Sequence, residues 1–136
     1  MNNADCIFCK IATKEFPSEV IYENEHVIAF LDIQPVHPGH TLVVPKAHAR
    51  NILDISQDSW VHVAEAARVV AKKVKEGTSA DGVNLIMNNE PAGHQVVFHP
   101  HVHIIPRFEG DGIKTWPHKE LDPEEGKLLA EKIRAA

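Results

Sequence analysis

Long apolar runs are missing from this chain of 136 residues. No stretch approaches the roughly 18 apolar residues that a membrane-spanning helix requires, so a transmembrane helix is excluded. Cysteine is scarce: Cys6 and Cys9 are the only two, too few for a disulfide framework. Seven Gly and nine Pro are scattered rather than bunched, which leaves no low-complexity segment or long flexible linker. A clustered basic face is also absent. The formal net charge is −5, whereas a protein that grips a phosphate backbone concentrates Lys and Arg on one side. Neither nucleic acid nor a membrane is therefore an expected partner. The opening Met1-Asn2-Asn3-Ala4-Asp5-Cys6 has no basic start and no apolar core of a secretory signal. Hydrophobic residues at 43% and charged residues at 24% match ordinary globular usage. A single cytoplasmic domain over residues 1–136 is the expectation.

What the chain has in excess is histidine. Ten occur, and seven fall in two groups: His37, His40 and His48, then His94, His99, His101 and His103. The two cysteines are spaced C-x-x-C, which outside an oxidising compartment points to metal or redox chemistry.

Hydrophobic periodicity outlines the fold. Asp5 to Phe16 reads as a short helix or helical turn carrying both cysteines. Val20 to Tyr22 and Val27 to Leu31 read as strands joined by a polar hairpin turn, and Thr41 to Val44 as a third strand closed by Pro45. Ser56 is an expected N-cap for a long helix whose Trp60, Val63, Ala67, Val70 and Val74 form one apolar stripe; Gly77 is its expected stop. Val83 to Met87 and Phe98 to Ile105 supply two further strands. Asp122-Pro123 opens a terminal helix. Strands segregated from helices imply an α+β fold with a mainly antiparallel five-stranded sheet, one long helix, and short N- and C-terminal helices.

Within the last strand, His99-Pro100-His101-Val102-His103 alternates imidazoles with apolar residues. Side chains on a strand repeat every second residue, so all three rings are expected on one face, with neighbours ~6.6 Å apart. A phosphate bound between His101 and His103 could touch both. An imidazole with an ordinary pKa of ~6.5 can serve as nucleophile, base or acid near neutrality.

The segment Gln95-Val96-Val97-Phe98-His99-Pro100-His101-Val102-His103-Ile104-Ile105-Pro106-Arg107 resembles the signature of the histidine triad (HIT) family of nucleotide hydrolases and transferases. Upstream, Cys6-Ile7-Phe8-Cys9, Phe30-Leu31-Asp32-Ile33, His40 to His48 and Asn88-Asn89 are similar to that family as well. The length fits the small Hint-like branch.

The resemblance implies a homodimer whose sheet runs on from one copy into the next. It implies attack on the α-phosphorus of a purine nucleotide conjugate, a nucleoside phosphoramidate or aminoacyl adenylate. His101 would be the nucleophile that forms a nucleotidyl-histidine. His103 would contact the phosphate or leaving group, with His40 orienting the set and His99 completing the catalytic group. Phe8, Ile11, Phe30, Ile33 and Leu42 would hold the base. Asp32 would pair with the ribose, and Asn88 with Gln95, Val96 and Val97 would lie at the phosphate. Bacterial members carry a Zn²⁺ quartet matched by Cys6, Cys9, His48 and His99, a closed structural set in zinc chemistry; a redox pair or two free thiols are the rival readings. Three departures bear on the phosphate side: His94 in place of Gly, Val96 in place of Ser, and Pro100 in place of an aliphatic residue. Rival functions are a dinucleoside polyphosphate hydrolase and a zinc-bearing nucleotide-binding or scaffolding protein with little catalysis.

Overall fold

The computed structural model describes residues 3–136. Its elements follow in the order α1 (Ile7–Ala12), β1 (Val20–Glu23), β2 (Val27–Leu31), β3 (Thr41–Pro45), α2 (Gln57–Thr78), β4 (Gly82–Ile86), β5 (Val102–Arg107) and α3 (Pro123–Ala135), with a short 3-10 turn at Pro91–Gly93. The five strands form one sheet in the order β1-β2-β3-β5-β4, every neighbouring pair antiparallel. This is the α+β architecture expected from the strand and helix patterns.

The pleat sorts each strand's residues between two cores. Val27, Ala29, Val43, Val102 and Ile104 turn to one face and meet Val63, Ala66, Ala67, Val70 and Val74 of α2. Ile28, Phe30, Leu42 and Val44 turn to the other and meet Phe8 and Ile11 of α1. Both faces are thus covered, which is why β2 and β3 read as continuous apolar runs. Leu42 stands opposite His103 and Val43 opposite Val102. His103 therefore shares the α1 face, while Val102 and Ile104 lock its strand onto α2.

Several boundaries differ from those the sequence suggests; β4, for one, is Gly82–Ile86 rather than Val83 to Met87. The last strand begins at Val102, not Phe98. Pro100 has no N–H to give a ladder, and pairing with β3 stops at Val43–Val102. Helix α1 is shorter than 5–16, covering Ile7–Ala12. Helix α2 runs past Gly77 to Thr78, and Ser79 takes the left-handed cap at φ 57. Its start agrees: the Ser56 side chain accepts from the Ser59 N–H. Asp122 caps α3 in the same way. Among the described residues no helix is long and apolar enough to cross a membrane.

Gly39 sits at φ 101, where a Cβ would collide with the Thr78 methyl. That close approach seats the 34–40 loop on the end of α2 and returns the chain into β3 with His40 at its head.

Candidate active site

Between α1 and the sheet face it covers lies a cavity of about 460 Å³, within the range of small-molecule sites. Phe8, Ile11, Phe30, Leu42 and Val97 form its apolar wall, and Asp32, Asn88, His101 and His103 its polar one. Phe8 meets Phe30 edge-on at 5.5 Å and His101 at 5.1 Å. Ile33 and Val96 stand on the rim, 95% and 85% exposed, as free apolar faces. The cavity also uses Ile7, Phe16, Pro17, Ser18, Gln34 and His94, which the sequence reading did not assign to it. No period marks the Phe16-Pro17-Ser18 segment, which joins α1 to β1 and lines the cavity from that connection.

The hydrogen bonds fix which nitrogen of each ring carries the proton. His101 Nδ1 lies 2.7 Å from the His99 carbonyl. A carbonyl only accepts, so Nδ1–H donates and Nε2 keeps its lone pair. His40 Nδ1 accepts from the Val36 N–H at 3.1 Å, which puts the proton of that ring on Nε2. His40 Nε2 then donates to His103 Nδ1 at 2.9 Å, leaving His103 with Nε2–H. The result is a bare nucleophilic nitrogen on one ring lining the cavity and a donor on the next, their centroids 5.0 Å apart.

Burial keeps these rings neutral. It pushes His101 below its ordinary pKa, partly opposed by the bond to the His99 carbonyl and by Asp32. His103 is pushed down to about 4, first by burial and then by His101 and His40. His40 is also lowered by burial, against the pull of Asp32. The Asp32 carboxylate accepts from the Gln34 N–H at 2.8 Å and stands 3.6 Å from His40 Nε2.

Not every expected residue reaches the cavity. His40 acts from behind His103. The side chain of Gln95, expected at the phosphate, is buried and braces the backbone instead: Nε2 donates to the Arg50 and Val97 carbonyls, and Oε1 accepts from Asn51 Nδ2 and the Glu90 N–H. The Val96 and Val97 N–H groups have no backbone partner among the described residues and remain as donors there. His99, expected on one face with the other two rings, does not line the cavity. Its ring is fully buried against the thiols, because the ladder ends before it. His37 is engaged with Asp111 at 3.2 Å.

The thiols and two imidazoles converge on one point. Cys6 Sγ is 3.4 Å from His99 Nδ1, Cys9 Sγ 3.4 Å from His48 Nδ1, and the two Nδ1 atoms are 3.2 Å apart. A zinc ion with Zn–S of about 2.3 Å and Zn–N of about 2.0–2.1 Å sets tetrahedral S–N and N–N edges of about 3.3–3.6 Å, close to these spacings. His99 Nε2 donates to the Pro45 carbonyl at 2.7 Å, so its Nδ1 lone pair faces the cluster, an outer-shell bond of the kind that orients metal-binding histidines. The donor set fits zinc.

Residues 13–110 match the family described as HIT domain. The chain is 41% identical over 132 residues to the adenosine 5'-monophosphoramidase of Saccharomyces cerevisiae, covering 95% of this chain and 81% of the yeast protein. A crystal structure of a Streptococcus mutans protein superposes with a TM-score of 0.93 at 41% identity, covering 98% of this chain and 86% of that one. A zinc-bound histidine triad family protein of Mycobacterium smegmatis superposes at 0.77 with 35% identity, covering 97% and 98%.

Proposed function

Because the chain belongs to the histidine triad (HIT) family, we propose that it is a hydrolase of purine nucleotide conjugates, cleaving the bond between the α-phosphorus and a nitrogen leaving group. The observation that carries this reading is the His101 ring, whose Nδ1 is spent on the His99 carbonyl and whose Nε2 is left free beside an apolar slot. The similarity to a phosphoramidase favours a P–N bond over a phosphoanhydride.

In the first step the His101 Nε2 lone pair forms a bond to phosphorus, the P–N bond to the leaving group breaks, and the departing nitrogen takes a proton through His103 Nε2. In the second, water attacks the nucleotidyl-histidine: its hydroxyl goes to phosphorus, the His101 P–N bond breaks, and its proton restores the one released. The sum is water added across one P–N bond. A positioned acid–base group of this kind contributes about 10²–10⁴ in rate. The Val96 and Val97 N–H groups hold the phosphoryl oxygens, Asp32 takes the ribose hydroxyls, and Phe8, Ile11, Phe30 and Leu42 hold the base. Ile33 closes over it from the rim.

Cys6, Cys9, His48 and His99 would hold Zn²⁺ as a structural ion, with all four positions filled by protein and none left for substrate. A second copy would extend the sheet across the free β4 edge, where Leu85 is exposed.

The deciding experiment follows AMP release from adenosine 5'-phosphoramidate together with acid quench for a nucleotidyl-enzyme. Turnover with a trapped adduct at His101 is expected. A protein that binds AMP but never forms the adduct would be a nucleotide-binding protein instead.

A further inference from the structure

Two imidazoles that belong to neither the cavity nor the thiol cluster lie against each other at the surface. His26, in the turn between β1 and β2, and His62, in the second turn of α2, stack with ring centroids 3.7 Å apart and planes inclined by 13°. A carboxylate stands near each ring: Asp58 Oδ1 is 3.7 Å from His62 Nε2, and Glu25 Oε2 is 4.0 Å from His26 Nε2. Both separations exceed hydrogen-bond reach. One donor atom from each of His26, Asp58 and His62 lies within 4.8 Å of the other two.

Local structure fixes where these side chains start. Asp58 and His62 are four residues apart in α2, which puts them on one face of the helix. The Ser56 cap, accepting from the Ser59 N–H at 3.1 Å, secures the opening turns that carry them. On the other side, the His26 N–H donates to Asn24 Oδ1 at 2.8 Å, and the His26 carbonyl accepts from the Lys46 N–H at 2.8 Å. The hairpin turn is thereby tied to the residue that follows β3, and its imidazole is delivered to α2.

Two imidazoles and a carboxylate are donors that suit a borderline divalent ion such as zinc. Around tetrahedral zinc, N–N and N–O pairs lie about 3.3–3.5 Å apart. The spread of 4.8 Å closes to that by small rotations of side chains free to make them, since His26 and Asp58 are exposed and His62 is half-buried. Asp32, His40 and His103 cluster as closely, but there His40 Nε2 is already bonded to His103 Nδ1 at 2.9 Å. Rings stacked face to face, as His26 and His62 are, cannot bond to each other in that way, because an imidazole donates and accepts in its own plane.

We propose that His26, His62 and Asp58 form a divalent-metal site separate from the thiol cluster, one that takes zinc and fastens the β1–β2 turn to α2. Three protein donors leave at least one position for water, unlike the closed set of four. Such an exposed site holds its ion more loosely, so it fills only when zinc is supplied beyond what the thiol cluster retains. No residue of the cavity takes part, and the inference stands apart from the hydrolase reading.

The test titrates Zn²⁺ by calorimetry into the full chain, free of any affinity tag and already loaded at its thiol cluster, at ~pH 7.5, where an ordinary imidazole is neutral. About one further ion per copy is expected, with Tm rising as it binds. His26→Ala and His62→Ala should each weaken that ion at least about tenfold, the scale on which even an outer-shell partner of a metal counts. Asp58→Asn should weaken it too. His62→Gln, which keeps the bulk without an imidazole, should match His62→Ala and so separates a lost ligand from a lost fold. Binding of no further ion overturns the inference. So does a further ion whose affinity is the same in His62→Ala and His62→Gln as in the unaltered chain, a result that would place it elsewhere, at Asp32, His40 and His103 first.

Discussion

His101 and His99 are two residues apart in sequence, yet their rings face different chemistry. The His99 ring joins the thiols while its carbonyl holds His101 Nδ1 at 2.7 Å. Replacing His101 with Ala should lower turnover at least about 10³-fold while AMP still binds within a few-fold of wild type, as measured by calorimetry beside single-turnover kinetics. His103 gives a second expectation. Folding lowers it to about 4, against ~6.5 in an unfolded chain. Between those values the unfolded chain binds more protons, so stability is full above ~pH 6.5 and declines as pH falls toward 4. Tm measured from pH 7 to pH 4 should drop less steeply in His103→Asn than in wild type; parallel curves would remove His103 from this account. Period-two spacing made His101 and His103 legible as partners. It could not show that Gln95 would brace backbone rather than touch phosphate, because that depends on Arg50, Asn51 and Glu90, roughly 5 to 45 residues away in sequence.

At the scale of elements, α1 is the telling case. Among the described residues no backbone hydrogen bond joins it to the sheet. It is held by Phe8 and Ile11 against Ile28, Phe30, Leu42 and Val44 and by Cys6 and Cys9 at the four-donor cluster. The same six-residue helix is a wall of the cavity. Purified with zinc, the chain should contain about one ion per copy. Chelation, or Cys9→Ala, should lower Tm and weaken AMP binding about tenfold, because a bound metal stabilises only the folded arrangement. Unchanged AMP affinity in the metal-free chain would separate the two sites. The C-x-x-C spacing pointed to metal or redox chemistry, but with the long helix and four strands between Cys9 and His99 the spacing alone could not say which imidazoles complete the set; only the family resemblance named His48 and His99. Helix α2 was readable from its stripe and its Ser56 cap; its end was not, since Gly77 continues the helix and Ser79 bears the left-handed turn.

The whole molecule is a sheet clamped on both faces. Ile104 is fully buried between β3, β4 and α2, and Ile104→Ala should cost about 2–5 kcal/mol, read as a shift in denaturant midpoint. In solution the chain should run at twice its 15.1 kDa mass if β4 continues into a second copy; a monomer at assay concentration would contradict that. The class and order of elements were legible because apolar patterning is strong in β2, β3, β5 and α2. Strand order was not, since β5 inserts between β3 and β4, a pairing set by burial far apart along the chain.

The pleat has a consequence for how such a chain can change its length. Deleting one residue inside β3 would swap its two sides, sending Leu42 under α2 and Val43 toward the nucleotide slot, and would shift Leu42 away from His103. Drift by insertion and deletion is therefore channelled into the bends, such as Asn24 to His26 and Glu109 to Ile113, where a gained or lost residue leaves both inventories of side chains intact.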